Sequence, residues 1–196
     1  PNGVIKYKRV NTENILAIPF DMPIIGYGTD TINSLRLWEA KSPDGFDLQL
    51  FNNEQYLKAV EKANSAEDVS RVLYPNDMGP MGKTLRLKQQ YFFVLASLQD
   101  IIRIYKVKLG DNFTRFPQVV AIQLNDTHPV VAIPELMRIL LDYEGMSWTE
   151  AWTLTTQTFA YTNHTILSEA LEKWPIDIFQ KLLPRIYQII EEINRR

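Results

Sequence analysis

A polar turn follows one of the most apolar runs of this sequence. Together, the apolar run and the turn limit which folds the chain can adopt. Residues 119–124 read Val-Val-Ala-Ile-Gln-Leu, and Pro117 precedes them. A short run rich in β-branched residues between breakers predicts a buried strand. Asn-Asp-Thr-His-Pro follows at 125–129, and a helical pattern begins directly after it. Strand, polar turn and helix in this order predict an α/β fold.

The segment after the turn carries an apolar stripe at helical spacing. Its members lie at i, i+3, i+4, i+7 and i+8, and they are Ile133, Leu136, Met137, Leu140 and Leu141. Gly145 is placed to end this helix in a left-handed turn. Ser147 and Glu150 then match the capping box, which predicts the start of a second helix.

The two histidines of the chain, His128 and His164, each follow a predicted strand. The second helix leads into Thr-Phe-Ala-Tyr-Thr-Asn-His-Thr at 158–165, which predicts another short extended segment. If the two strands are parallel neighbours, both imidazoles lie beyond their carboxyl ends. Open α/β sheets bind ligands at that edge, so the sequence predicts a polar site there.

Recognition of a hydroxyl-rich ligand suits the side chains near these strand ends. They include acceptors, donors and aromatic faces: Asp126, Glu169, Asn125, Asn163, His128, His164, Tyr74 and Tyr161. In the competing interpretation, each histidine only satisfies backbone groups in a polar turn. Metal binding has weaker support because no closely spaced ligand pair is present. A catalytic triad lacks a Gly-x-Ser-x-Gly turn.

The first third of the chain mixes extended and helical patterns. Residues 3–10 alternate and predict an extended segment, whereas residues 14–26 are nearly continuously apolar and predict a buried strand. Residues 27–40 do not favour one assignment. Residues 52–72 predict a helix that has polar residues on most faces.

The remaining segments predict helices separated by loops. Residues 85–106 predict a long helix with Phe92, Leu95, Leu98 and Ile102 at helical spacing. Loops are predicted on either side of it, at 74–84 and 107–117. Residues 168–174 and 175–196 predict closing helices, the second bent at Pro184.

Composition excludes several functional classes. A length of 196 residues suits one domain or one and a half. A net charge of −2 without a basic block argues against nucleic acid as a partner. No apolar run reaches the roughly 18 residues that would span a membrane. Without cysteine, disulfides and thiol chemistry are excluded. The cytoplasm is the expected compartment, and the first residue, proline, suggests an excised piece.

Residues 77–84 resemble the end of a phosphate-binding P-loop. They read Asp-Met-Gly-Pro-Met-Gly-Lys-Thr. The motif requires a glycine where Asp77 stands, and it should follow a buried strand. Nucleotide binding is therefore disfavoured, and the segment is expected to be a surface loop.

Four segments, in order along the chain, resemble the α-glucan phosphorylases. They are PFDMPIIGYGTDTINSLRLWEAK, RVLYPND with GKTLRLKQQYF, QLNDTHPVVAIPELMRIL and TFAYTNHTILSEALEKW. The likeness runs from about Ile15 to Arg196. It implies a helix-rich α/β chain, part of the Rossmann-like N-terminal domain of a two-domain glycosyltransferase-B architecture. The 196 residues would then be a middle portion of a longer enzyme.

The resemblance also implies an activity. Inorganic phosphate displaces the terminal glucosyl unit of an α-1,4-glucan with retention and releases glucose 1-phosphate. The family's cofactor is pyridoxal phosphate, whose Schiff-base lysine belongs to a C-terminal half not present here. The chain alone is therefore expected to bind no cofactor, to be inactive and to expose an apolar docking face that favours self-association. A non-catalytic carbohydrate-binding or scaffold domain is the alternative.

Site residues follow from the matched motifs. His164 resembles the histidine that binds the 6-hydroxyl of the reacting glucosyl unit, and Thr165 lies on the same segment. Asp126 and His128 resemble residues that line the acceptor-sugar sites. Glu169 resembles an acidic residue of the cleft that accepts sugar hydroxyls.

Three further residues belong to or follow a loop that gates the site in the family. Tyr74 resembles the tyrosine that packs on acceptor glucose, Asp77 lies in the gate loop at about 74–83, and Arg86 resembles an arginine near the acceptor sugars. Many family members carry asparagine where this chain has Met78, which cannot donate a hydrogen bond. The helix at about 53–66 resembles the "tower" helix, which implies contact with a second subunit in a homodimer.

Overall fold

The chain forms two compact units. The computed structural model describes residues 7–168 and 171–196. Among these residues, the larger unit comprises 7–8, 77–168 and 171–196, and the smaller unit comprises 9–76. Within the described residues, no helix combines the length and the apolar character needed to cross a membrane.

The smaller unit is a hairpin followed by two helices. Strands β1 (Leu16–Ile25) and β2 (Ile32–Lys41) pair antiparallel. Helix α1 (Leu48–Asn52) is capped by Asp47, whose carboxylate accepts from the Leu50 amide at 2.9 Å. Helix α2 (Tyr56–Arg71) confirms the predicted helix. It buries its small apolar residues, Ala59, Ala66 and Val69, and packs against β2, where Ala40 is also buried.

Strand β1 is not buried, and the prediction for residues 14–26 is wrong in this respect. Antiparallel pairing places Phe20 opposite Leu37 and Met22 opposite Leu35. Cross-strand partners and alternate residues share a face, so these four and Ile24 form one apolar surface, here called the hairpin face. Its five side chains are 46% to 59% exposed. Strand propensity was readable from sequence, whereas burial depends on what packs against the strand.

A long helix runs through the larger unit. Helix α3 (Pro80–Leu109) begins with proline at its first turn, where a missing N–H costs nothing, and it ends at Gly110 with φ 78°. It therefore extends beyond the predicted 85–106 into both predicted loops. Of the predicted stripe, Phe92, Leu98 and Ile102 are buried.

Two short strands pair in parallel, which is the condition on which the predicted site depends. Strands β3 (Ile122–Asn125) and β4 (Phe159–Thr162) align Asn125 with Thr162 at their carboxyl ends. Parallel neighbours need a crossover connection. Three helical segments supply it: α5 (Ala132–Arg138), a π-helix (Ile139–Tyr143) and α6 (Trp148–Thr158).

Local signals within this crossover are confirmed. Leu136, Met137 and Leu140 are buried. Gly145 adopts φ 68°, the left-handed conformation expected after a helix end. The Ser147–Glu150 capping box forms in both directions. The expected single helix instead changes to a π-helix after Arg138.

The segment before β3 is helical where a loop was predicted at 107–117, and its last residue, Val119, also replaces the start of the predicted strand. Residues Phe113–Arg115 form a 3₁₀ turn, and Phe116–Val119 form helix α4 with Pro117 in its first turn. Proline there favours helix initiation. The strand is consequently shorter than the predicted 119–124 and begins at Ile122.

The chain closes with helices α7 (Ile176–Leu182) and α8 (Pro184–Arg195), which meet at Pro184 as predicted. Residues 171–174 are not helical, so the prediction for 168–174 is wrong over that part. Pro175 accounts for the last of these residues, because the residue before a proline, here Trp174, is disfavoured in the α conformation.

A buried ion pair fixes α5 inside the core of the larger unit. The guanidinium of Arg138 donates to both carboxylate oxygens of Glu135, at 2.9 and 2.7 Å, and the Tyr91 hydroxyl donates to the same carboxylate at 2.9 Å. Burial disfavours the charged form of Arg138. The hydrogen bonds to Glu135 and the charge of Glu135 outweigh this effect, so the pKa of Arg138 is raised. The pair ties α5 to α3, which carries Tyr91.

Candidate functional site

The carboxyl ends of β3 and β4 are joined by an aspartate just beyond the sheet. The Asp126 amide donates to the Thr162 carbonyl at 2.9 Å and so extends the pairing by one residue. Asp126 adopts φ 62°. Aspartate is one of the few non-glycine residues that visit this region regularly. The Asp126 carboxylate then accepts from the backbone amide of His164 at 2.9 Å.

The His164 ring lies beside the end of the neighbouring strand. Its Nε2 is 3.3 Å from the Asn125 Oδ1. The imidazole is exposed. Its ring nitrogens can therefore form hydrogen bonds with a ligand hydroxyl.

The backbone after His164 is also held locally. Asn163 donates from its side chain to the Thr165 carbonyl at 2.8 Å and accepts from the Thr165 amide at 2.9 Å. The Gln123 side chain donates to the Thr162 hydroxyl at 2.8 Å across the two strands. These contacts order the segment on both sides of His164.

A second group of polar side chains converges on Glu172. Its carboxylate accepts from Arg86 at 2.7 Å and from the Gln90 amide at 2.9 and 3.0 Å. Arg86 also donates to Asp77 at 3.2 Å. The side chains of Arg86 and Glu172 are only 20% and 12% exposed. Reduced solvent screening strengthens such a pair relative to a surface one.

His128 connects the two groups. Its Nε2 lies 4.0 Å from the Glu172 carboxylate. His128 follows Asp126 by two residues, a separation of at most about 7 Å along the chain. Both groups belong to the larger unit. Together they form a polar surface at the carboxyl ends of β3 and β4, here called the strand-end site.

The predicted site residues are distributed between the two units. Six belong to the larger unit: Asp77, Arg86, Asp126, His128, His164 and Thr165. Tyr74 belongs to the smaller unit, with an exposed ring and φ 53°. Glu169 lies outside the described residues. Met78, where asparagine was expected, is 89% exposed.

Glu172 and Gln90 were not predicted as site residues. The two residues are separated by 82 positions in the sequence, so no local pattern links them. A weaker signal was available in Arg86, which sits between Leu85 and Leu87 on the long helix. An arginine among apolar neighbours needs an anionic partner when it is buried.

The strand-end site is rich in hydrogen-bond donors and acceptors. Among the described residues, no three His, Cys, Asp or Glu side chains group together as they would around a metal ion. The available chemistry is hydroxyl recognition by imidazole, carboxylate and amide groups at the sheet edge where α/β folds bind ligands.

Comparisons with known proteins show which family the chain resembles. The sequence profile of the carbohydrate phosphorylases matches residues 1–196. The chain is 55% identical to the liver form of glycogen phosphorylase from Homo sapiens and 56% identical to the muscle form, in each case over 96% of its length and 23% of the relative. It is 55% identical to the brain form from Homo sapiens over 100% of its length and 24% of the relative.

The chain belongs to the carbohydrate phosphorylase family, because the profile covers its whole length. It spans less than a quarter of the length of the curated relatives that it matches. The resemblance seen in the four sequence segments is confirmed at the level of the family.

Proposed function

We propose that this chain is part of an α-1,4-glucan phosphorylase and that its strand-end site contributes to the glucan cleft. In the complete enzyme, inorganic phosphate would displace a terminal glucosyl unit and release glucose 1-phosphate. The chain would form part of the N-terminal, Rossmann-like half of a glycosyltransferase-B architecture. The relatives that are 55% identical carry the name glycogen phosphorylase, which supports this assignment.

The observation that carries the proposal is the junction of Asp126 and His164 at the ends of two parallel strands. A glucosyl unit presents several hydroxyls, each able to donate and accept. The exposed imidazole of His164 suits the 6-hydroxyl of the reacting unit. His128, Asp126 and Thr165 line the route toward the acceptor sugars.

The Glu172 group supports the same cleft from the α3 side. Arg86 is paired with Asp77 and Glu172, and this pairing anchors the start of α3 to the segment after His164. Asp77 belongs to the proposed gate loop at about 74–83, of which residues 80–83 are helical. Tyr74 would stack on an acceptor sugar, because the C–H face of a sugar suits an aromatic ring. Glu169 would accept sugar hydroxyls.

The strand-end site itself does not fit pyridoxal phosphate. A Schiff base needs a lysine amine, and the side chains that make up this site include none. A phosphate group needs cations, whereas Arg86 is already paired with Asp77 and Glu172. We therefore assign the cofactor to parts of the enzyme beyond this chain and expect the isolated chain to bind none.

The remaining proposals concern partners and location. Helix α2 would be the tower helix and would pack against a second subunit, so the complete enzyme would be a homodimer. Its first turn exposes Tyr56 and Leu57, side chains suited to such contact. The compartment would be the cytoplasm, and neither nucleic acid nor membrane is expected as a partner.

Phosphorolysis in the full-length protein that contains this chain tests the proposal. With pyridoxal phosphate supplied, it should release glucose 1-phosphate from a maltooligosaccharide and inorganic phosphate. His164→Ala should lower kcat/KM about tenfold or more, because one hydrogen bond to the sugar is lost. Gln157→Ala, an exposed change on nearby α6, is the control.

The 196-residue chain alone should release no glucose 1-phosphate under the same conditions. Release by the pure chain would show that this segment is catalytically complete, which the proposal denies. A full-length protein without phosphorolysis would overturn the proposed activity.

A further inference from the structure

The carboxylate of Asp126 is directed at the protein backbone. Its Oδ1 accepts from the His164 backbone amide at 2.9 Å. The backbone amide of Asp126 donates to the Thr162 carbonyl, also at 2.9 Å. Residue 126 thus makes contacts on both sides of Asn163 in the neighbouring segment. These two bonds fix where the chain leaves β4 and where His164 begins.

From this geometry we infer that Asp126 is a positioning residue that acts through His164. The carboxylate holds the His164 backbone, and the ring is then placed beside Asn125, 3.3 Å from its amide oxygen. The inference rests on the proposed function for its catalytic meaning, since His164 is the residue assigned to the reacting glucosyl unit. It differs from the expectation that the Asp126 carboxylate binds sugar hydroxyls itself.

The backbone conformation at position 126 limits which side chains can hold the His164 amide. At φ 62°, a side chain with a Cβ is disfavoured unless it is short and polar, as in aspartate or asparagine. Asparagine retains an oxygen that can accept from the His164 amide, but it has no charge. Glycine retains the backbone conformation but has no acceptor. Asp126→Asn therefore tests the charge while the hydrogen bond is kept. Asp126→Gly tests the hydrogen bond while the backbone conformation is kept.

Amide hydrogen exchange in the 196-residue chain tests the contact directly. His164 is exposed, so the hydrogen bond to Asp126 is what slows exchange of its amide. In Asp126→Gly the amide should exchange about tenfold faster, the change expected for loss of a hydrogen bond to a charged group. In Asp126→Asn exchange should stay within about threefold of the wild type. Asp44→Asn, in an exposed turn, removes one charge elsewhere and should change nothing.

Kinetics of the full-length protein test the catalytic consequence. Asp126→Gly should lower kcat/KM for maltooligosaccharide about tenfold, and Asp126→Asn should restore most of it. Equal thermal midpoints for the two variants would show that the difference does not arise from unfolding. A residue with only a structural role would shift the midpoint without this rescue by asparagine.

Two results would overturn the inference. The first is unchanged His164 exchange in Asp126→Gly. The second is an Asp126→Asn enzyme that is as impaired as Asp126→Gly although its His164 amide remains protected, because the charge itself would then meet the sugar. If phosphorolysis is absent even in the wild type while exchange follows the expected pattern, the proposed function fails and the positioning of His164 stands.

Discussion

Glu172 illustrates how much one side chain can organise at the residue scale. Its carboxylate holds Arg86 and Gln90 from α3 and lies near His128 from the turn after β3. The side chain is mostly buried, so removal of its charge leaves Arg86 less well compensated. Removal of one partner of a buried ion pair lowers stability strongly, because it leaves the other charge unpaired. Replacement of the whole pair by apolar residues is often nearly neutral.

Glu172→Gln should lower the free energy of unfolding of the larger unit by about 2 kcal/mol, less than for a fully buried pair because some solvent reaches it. Chemical denaturation at neutral pH measures this. Glu61→Gln, at an exposed position of α2, removes the same charge and serves as control. A Glu172→Gln protein as stable as this control would show that the Arg86 pair contributes little.

Sequence reasoning reached the histidines but not this carboxylate, for a physical reason. His128, Asp126 and His164 follow strands whose ends can be located locally. The partners of Glu172 lie 82 and 86 residues away, and residues 171–174 adopt an irregular conformation before Pro175. Long-range contacts made from irregular backbone leave no periodic signal.

Elements whose boundaries are fixed by local chemistry were predictable. The capping box at the start of α6 is an example, because the side chains of Ser147 and Glu150 each accept from the other residue's backbone amide. Hydrogen bonds from Ser147, first from its side chain and then from its backbone, lower the pKa of Glu150 below its ordinary value of 4.5.

The stabilisation from Glu150 should therefore depend on pH. A lowered pKa in the folded state means that the contribution is complete above pH 4.5 and is lost as the pH falls through the folded-state pKa. Wild type and Glu150→Gln should differ in unfolding free energy at neutral pH and converge in acid. A difference that persists unchanged in acid would contradict this assignment. Chemical denaturation at a series of pH values measures it.

The hairpin is an element whose strands were partly readable but whose environment was not. The nearly continuous apolar run of β1 fits a strand, yet the hairpin face is exposed. Contiguous exposed apolar surface of this kind favours association. The chain spans less than a quarter of its relatives, so burial seen in a complete protein need not occur in this segment.

Replacement of Phe20, Met22 and Leu37 by serine should weaken self-association of the 196-residue chain about tenfold or more, because apolar anchors are removed from one face. Sedimentation across concentrations measures this. Serine at Ile104, Val107 and Leu109, exposed residues near the end of α3, is a matched control. Equal weakening in both triple variants would show that the hairpin face is not the contact.

At the scale of the whole molecule, the α/β class and the parallel pair were predictable because they follow from the order of strands and crossover helices. The division into two units at residue 76 was not predictable, because it depends on the tertiary contacts that the folded chain makes. The strand-end site lies entirely in the larger unit. We therefore propose that this unit carries a part of a glucan-binding surface.

Titration of the chain with a maltooligosaccharide, followed by nuclear magnetic resonance of the His128 and His164 imidazoles, tests whether this surface binds a glucan. Saturable shifts at both rings are predicted, and His164 should lose its response in Asp126→Gly because its backbone is no longer held. A folded spectrum in which neither ring responds at any sugar concentration would contradict the account, because the strand-end site would not be a sugar-binding surface in this chain.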